Sequence, residues 1–203
     1  MIYPRIIAHR CGGALAPENT LAGLRLAARL GCGGVEFDTM LAADGVPVLM
    51  HDETLERTTS GCGRVADLDS ISLARFDAGS RHHPAFAAEP VPTLEEALRL
   101  CAALGLWANV EIKPAPGQEV VTGQVVARHA AAATGKLLLS SFSSRALLAA
   151  ADEAVQLPRA MLFEAIPADW RERLMETGVC ALHSAASGLS VDALQACAMP
   201  GFQ

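Results

Sequence analysis

Charged residues alternate with apolar ones in two segments that have the pattern of buried strands. Glu36 and Asp38 lie in the string GVEFDTM, and Asn109, Glu111 and Lys113 lie in WANVEIKP. Alternate residues of a strand point to the same face, so each segment gathers its polar side chains on one face. Carboxylates placed together repel one another and are costly to bury unless a cation or a proton joins them. A solvated strand face is the alternative interpretation, which a parallel strand covered on both faces disfavours.

The two acidic segments predict a cation site. The carboxyl ends of neighbouring parallel strands meet at one edge of a sheet, where α/β proteins form their active sites. Glu36, Asp38 and Glu111 would offer only oxygen ligands there, and these suit Mg²⁺ or Ca²⁺ better than zinc. Lys113 is one of only two lysines in the chain. Its place beside Glu111 favours a role at this edge over an ordinary surface charge.

Histidines end several of the predicted strands near the same edge. His9 closes the string RIIAH, and His51 follows the string VPVLM. One histidine at a strand end is more often structural, but a pair beside carboxylates can divide general-base and general-acid duty near neutral pH. Arg10 is adjacent to His9 and can hold an anion, although residue type alone does not separate it from Arg5, Arg57 or Arg64. His183 ends the last predicted strand and is a further candidate.

Short apolar runs alternate with helical patterns along the chain, which predicts a parallel α/β architecture of six β-α units. We expect strands over 5–10, 34–40, 46–51, 107–113, 136–141, 159–164 and 178–183. We expect helices that begin at Asn19 or Thr20, at a capping box formed by Thr93 and Glu96, and over 118–133, 143–151, 167–177 and 190–198. The turn signal Asp44-Gly45 predicts a hairpin that opens an insertion over about 45–92. Residues 1–203 then form a single domain.

Composition excludes several classes of protein. The chain has 203 residues, of which 51% are hydrophobic and 19% charged, so it can bury a core as a disordered chain cannot. No segment approaches the roughly 20 apolar residues of a membrane span, and no signal-peptide pattern is present. A net charge of −6 without a basic cluster argues against nucleic acid as a partner. The six cysteines form no CxxC pair, and Cys32, Cys101 and Cys180 lie in apolar stretches where a reduced thiol packs like a small hydrophobic side chain. This predicts free thiols and a cytoplasmic location.

Several short motifs, in this order and spacing, resemble the glycerophosphodiester phosphodiesterase family. They are His9-Arg10, APENT at 16–20, Glu36-Phe37-Asp38, PVLMHD at 47–52, LERTT at 55–59, PTL at 92–94 and Glu111-Ile112-Lys113. The resemblance runs from about residue 5 to about residue 195. It implies a TIM-type β/α barrel with an insertion after the second strand.

The resemblance also implies metal-dependent hydrolysis of glycerophosphodiesters to an alcohol and sn-glycerol 3-phosphate. It sorts the candidate residues into a metal set (Glu36, Asp38, Glu111), an acid-base pair (His9, His51) and a phosphate pair (Arg10, Lys113). The cofactor would be a divalent metal, Mg²⁺ or Ca²⁺. One histidine would deprotonate an attacking oxygen, from water or from the substrate's own glycerol hydroxyl, and the other would protonate the leaving alkoxide. The partner would be a small-molecule glycerophosphodiester. Whether the chain forms a homo-oligomer stays open.

Two departures from the family pattern bear on these expectations. Cys11 stands where the family usually has glycine, which adds a side chain where the backbone often passes close to the ligand. Family members also continue through two more β-α units, so we expect an incomplete barrel with open edges at the first and sixth parallel strands. Two other functions stay open: a weakly active or inactive protein that binds phosphodiesters, and a related phosphodiesterase that acts on lysophospholipids.

Overall fold

The computed structural model of the chain describes residues 3–189 and residue 195. The strands are β1 (Ile7–Ala8), β2 (Gly34–Leu41), β3 (Pro47–Leu49), β4 (Trp107–Ile112), β5 (Leu137–Ser141), β6 (Arg159–Phe163) and β7 (Ala181–Ser184). The helices are α1 (Leu21–Arg29), α2 (Ser70–Leu73), α3 (Leu94–Leu104), α4 (Glu119–Ala132), α5 (Ser144–Glu153) and α6 (Trp170–Thr177). The helix expected over 190–198 lies outside the described residues, apart from residue 195.

The strands form one curled sheet in the order β1-β2-β4-β5-β6-β7, and every neighbouring pair on this path is parallel. β3 pairs antiparallel with β2, which confirms the predicted hairpin. Helices connect successive parallel strands, as in a β/α barrel. Within residues 3–189, β1 and β7 each pair with only one other strand. The predicted incomplete barrel is therefore confirmed for this part of the chain.

The two faces of the sheet carry different side chains. On the outer face, Val35, Phe37 and Val110 pack under the helices in the largest hydrophobic cluster and are fully buried. The inner face holds a smaller cluster of Trp107, Leu138, Ala160 and Ala181, with Tyr3 and Ile7 at its margin. Because side chains alternate along a strand, Glu36 and Asp38 must share the inner face, above this small cluster.

The insertion between β2 and α3 has a hydrophobic cluster of its own. Val48, Met50, Leu55, Val65 and Leu73 are buried in it. The insertion ends at the predicted capping box, in which Thr93 Oγ1 accepts from the Glu96 amide and the Glu96 carboxylate accepts from the Thr93 amide. Val48 of β3 and Met50 after it pack in this cluster, whereas Leu49 packs in the main one, and this segment carries His51 to the sheet edge.

Three strands are at least two residues shorter than predicted, and β3 covers only Pro47–Leu49 of the expected 46–51. β1 ends at Ala8 rather than at Arg10, because Arg10 (φ 51°) and Cys11 (φ 73°) adopt left-handed backbone conformations that a strand cannot contain. β7 begins at Ala181 rather than at Gly178. Gly178 (φ 59°) forms the left-handed end of α6, which uses the residues predicted to open the strand.

The five described cysteines are free thiols, and Cys197 lies outside the described residues. Cys11 and Cys101 are buried and Cys32 is half-buried, but Cys180 is exposed. The interpretation of Cys180 as a packed apolar group is therefore wrong, because β7 begins one residue later and leaves it at the surface. None of the described helices has the length and apolarity needed to cross a membrane.

Candidate active site

The register of β2 and β4 brings the three predicted carboxylates together. Glu36 lies beside Asn109, and Asp38 lies beside Glu111. Side chains in register on neighbouring parallel strands point to the same face, so all four polar groups share the inner face of the sheet. One oxygen from each of Glu36, Asp38 and Glu111 lies within 4.8 Å of the other two.

At two of the three carboxylates, burial outweighs the positive charges and hydrogen-bond donors nearby. Burial, with a further contribution from Asp38, raises the pKa of Glu36 to about 8. The same two causes raise the pKa of Glu111 to about 7. Glu36 Oε1 is buried and accepts no hydrogen bond from the described residues, and the same holds for Asn109 Oδ1. Buried oxygens without partners are unusual in folded proteins, and here they point to a cation as the missing partner.

These raised pKa values predict a pH effect on stability. Glu36 and Glu111 keep their protons well above their ordinary pKa of 4.5 in the folded chain, so the folded state binds more protons than the unfolded one between about pH 4.5 and 8. The free energy of unfolding of the metal-free protein should therefore fall as the pH rises through this window. Urea unfolding of wild type and Glu36→Gln from pH 5 to 8 checks this.

The difference between the pH profiles of unfolding free energy of the two proteins isolates the contribution of Glu36, because other titrating groups such as His183 are common to both. We expect the stability of Glu36→Gln relative to wild type to increase with pH, and added Mg²⁺ or Ca²⁺ to remove most of the difference in slope. Parallel pH profiles for the two metal-free proteins would contradict the prediction.

Asp38 is fixed from two sides. Asn19 Nδ2 donates to Asp38 Oδ2 at 2.9 Å, and the Asp38 amide donates to Asn19 Oδ1 at 3.1 Å. Lys113 Nζ lies 3.3 Å from Asp38 Oδ1. Asn19 adopts a left-handed conformation (φ 56°), which asparagine tolerates better than most residues. The sequence suggested Asn19 only as a possible helix cap, a role that Thr20 fills.

The left-handed turn at Arg10 and Cys11 directs backbone and side chain to the cluster. The Arg10 amide donates to Glu36 Oε2 at 2.9 Å, and Arg10 Nε lies 3.7 Å from Asp38 Oδ2. The Cys11 side chain is fully buried in the outer cluster, and burial raises its pKa well above the ordinary value. The side chain that replaces the family's usual glycine therefore packs into the core and is an unreactive thiol.

The two predicted catalytic histidines lie at the same cavity as the carboxylates. The cavity is open, with a volume of about 1000 Å³. His9 follows β1, and its Nε2 lies 3.8 Å from Glu36 Oε2. His51 follows β3, and its Nδ1 lies 2.5 Å from Asp52 Oδ1. Hydrogen bonds from Arg57 hold the pKa of Asp52 well below its usual range, so the carboxylate is ionised and Nδ1 of His51 carries the hydrogen.

The cavity also has apolar lining residues. They include Phe142 after β5, Leu162 and Phe163 of β6, and Leu182 of β7. His183 also lines the cavity, where its ring packs edge-on against Tyr3 at 5.9 Å and burial lowers its pKa. The structure therefore brings all seven predicted site residues to one cavity, which His183 also lines.

Three further residues near the cavity were not singled out as site residues. Glu18, Asp52 and Arg57 form ion pairs that connect Arg10 with His51. Each belongs to a motif that carries the family resemblance, but the contacts join segments far apart in sequence. Residue type and spacing gave no signal for this pairing.

Comparison with known proteins identifies the family. The model of the glycerophosphoryl diester phosphodiesterase family matches residues 9–197. The chain belongs to this family. The glycerophosphoryl diester phosphodiesterases use a divalent metal, and the acidic cluster that such a metal requires is present here. This assignment confirms the resemblance inferred from the motifs.

Individual relatives agree with the family assignment. Glycerophosphodiester phosphodiesterase 1 of Bos taurus is 45% identical over 109 residues, which are 53% of this chain and 33% of that protein. A glycerophosphodiester phosphodiesterase of Caldanaerobacter subterraneus is 42% identical over 108 residues, 53% of this chain and 44% of that protein. The matches thus span less than half the length of these relatives.

A solved structure of a phosphodiesterase resembles the whole described fold. It is an Oleispira antarctica phosphodiesterase in complex with the product sn-glycerol-3-phosphate. The TM-score is 0.94 at 36% sequence identity, and the alignment covers 98% of this chain and 82% of that one. The chain therefore has an α/β fold whose curled parallel sheet forms part of a barrel, as predicted.

Proposed function

We propose that this chain hydrolyses glycerophosphodiesters to an alcohol and sn-glycerol 3-phosphate. The observation that carries the proposal is the convergence of three carboxylates, two histidines and two cationic side chains on one cavity. The product bound to the Oleispira antarctica relative supports a substrate that contains glycerol 3-phosphate. Family membership supports the reaction type.

We propose Glu36, Asp38 and Glu111 as the ligands of a divalent cation, either Mg²⁺ or Ca²⁺. The residues present fit such an ion: they supply only oxygen atoms, and Glu36 Oε1 is buried without a hydrogen-bond partner. Asn109 Oδ1 is a further unpartnered oxygen on the same face. When bound, the cation supplies a Lewis acid for a phosphoryl oxygen.

The remaining residues of the site have complementary roles. Arg10 and Lys113 border the carboxylates and would bind the negative oxygens of the phosphodiester. His9 and His51 would divide the proton transfers, one taking a proton from the attacking oxygen and the other giving one to the leaving alkoxide. The ionised Asp52 supports this role for His51, because it orients the ring and leaves Nε2 for proton exchange.

A coupled assay for glycerol 3-phosphate tests the proposal. We expect the purified chain to turn over glycerophosphocholine with Mg²⁺ or Ca²⁺, to lose this activity in a chelator and to regain it when the cation is restored. Titration calorimetry of each cation gives a readout that does not depend on turnover. Full activity in excess chelator would refute the metal role. Binding of glycerol 3-phosphate without turnover under any cation would favour the inactive binding protein.

Lysophospholipids are a second candidate substrate class. The apolar lining residues Phe142, Leu162, Phe163 and Leu182 share the cavity with the polar cluster and suit an acyl chain. Adding lysophosphatidylcholine to the substrate panel separates the two candidates. Because hydrolysis beside the choline would release choline from this lipid, choline release is measured in parallel with glycerol 3-phosphate.

We also propose a location, a domain organisation and an association state for the chain. We place the protein in the cytoplasm, which the free thiols of the described cysteines support. We treat residues 1–203 as a single domain, which the continuous sheet supports. Self-association is proposed because β1 and β7 are edge strands within residues 3–189, and sedimentation at several concentrations tests it.

A further inference from the structure

A continuous chain of ion pairs connects Arg10 and His51, which both line the cavity. Arg10 Nη1 donates to Glu18 at 3.2 and 3.3 Å. Both terminal nitrogens of Arg57 donate to the Glu18 carboxylate at 2.8 Å. Arg57 also donates to Asp52, through Nε at 2.5 Å and Nη2 at 3.0 Å. Asp52 in turn accepts from His51. Five side chains thus join the β1–α1 loop to the insertion.

Glu18 is the centre of this chain. Burial by itself would raise its pKa, but the hydrogen bonds from Arg57 and the charge of Arg10 outweigh burial and lower it. Glu18 therefore stays ionised and holds two guanidinium groups at once. Arg57 presents its planar fork to two carboxylates, a geometry that lysine cannot reproduce.

The location of the chain argues for function rather than stability. The Arg57 side chain is 47% exposed, and exposed ion pairs typically contribute little to the free energy of unfolding. Bidentate pairs, however, fix orientation strongly. One end of the chain is a residue proposed to bind phosphate, and the other is a histidine proposed to transfer a proton. The two reach the cavity from separate segments with separate hydrophobic clusters.

We propose that Glu18 and Arg57 are positioning residues that hold the His51–Asp52 pair of the insertion at a fixed position relative to Arg10. Neither residue is assigned a contact with substrate. Their effect on turnover rests on the proposed function, whereas their effect on the His51 ring does not. In this chain of bonds Glu18 reaches His51 only through Arg57 and Asp52.

The test compares Glu18→Gln, Arg57→Met and the double variant with wild type. Each single variant should lower kcat for glycerophosphocholine by about 10- to 100-fold, the loss expected when catalytic groups shift by about 1 Å. The double variant should lose little more than either single one, because both break the same chain. The kcat of Arg57→Lys should lie between that of Arg57→Met and that of wild type. Glu18→Gln should also raise KM, since Arg10 loses its anchor.

Two further measurements separate positioning from a structural role. The ¹⁵N signals of the His51 imidazole, assigned with a His51→Gln spectrum, should shift in Glu18→Gln although Glu18 does not bond to His51 in the chain. The melting temperature should change little. Arg128→Met is the matched control, because Arg128 forms an equally bidentate exposed pair with Glu153 on α4 and α5 and should leave kcat and His51 signals unchanged.

Each result either supports or overturns the positioning role of Glu18 and Arg57. Unchanged His51 signals in Glu18→Gln would overturn it, and so would losses that multiply in the double variant. If wild type turns over no glycerophosphodiester, the proposed function fails and the imidazole signals alone decide the positioning. If Glu18→Gln does not fold, Arg57→Lys and Arg57→Met supply the same readouts.

Discussion

Asp38→Asn is expected to reduce kcat/KM for glycerophosphocholine by about 1000-fold, because a metal contributes several kcal/mol and each 1.4 kcal/mol corresponds to a factor of ten. Asp38 is 2% exposed and lies between the other two carboxylates in the register of β2 and β4. The substitution removes one negative charge from the cluster. The side-chain amide introduced at this position can still form a hydrogen bond with Asn19. Calorimetric titration with Mg²⁺ and Ca²⁺ should show a matching loss of affinity.

The control for this substitution is Asp152→Asn, which makes the same chemical change at an exposed position of α5. It should leave both turnover and cation affinity unchanged. Retention of wild-type cation affinity in Asp38→Asn would show that the carboxylate cluster is not the metal site. Circular dichroism confirms that each variant is folded before its kinetics are compared.

His9→Ala and His51→Ala are expected to lower kcat by about 100- to 10,000-fold each, the range typical of a lost general acid or base. Their effect differs from that of Asp38→Asn in one respect: cation affinity should stay near the wild-type value. Single-turnover kinetics at saturating cation measure the loss directly. His129→Gln, a substitution on α4 away from the cavity, should be neutral. Unchanged kcat in His51→Ala would remove this residue from the mechanism.

The central part of the site could be predicted because it depends on strand periodicity. A two-residue repeat decides which face of β2 carries Glu36 and Asp38, and the parallel arrangement then brings Glu111 beside them. The hairpin and the capping box also follow local rules, and both were confirmed. These features need only the residue, its neighbours in sequence and the geometry of a strand or a helix.

The surroundings of the site could not be predicted, because they depend on contacts between distant segments. Asn19 reaches Asp38 from a loop in a left-handed conformation, and Arg57 reaches Glu18 across 39 positions of the chain. The direction of the Cys11 side chain likewise depends on its positive φ, which no spacing rule indicates. Such features appear only when loops are packed on a finished sheet.

The separate hydrophobic cluster of the insertion has a consequence for local stability. Val48, Met50, Leu55 and Leu73 pack outside the main cluster under the helices, so we expect them to lose their packing before that cluster does. Such partial unfolding would withdraw His51, Asp52 and Arg57 from the cavity but leave the carboxylates of β2 and β4 in place. On warming, we therefore expect the proposed turnover to be lost at a temperature where the proposed cation site still binds its ion.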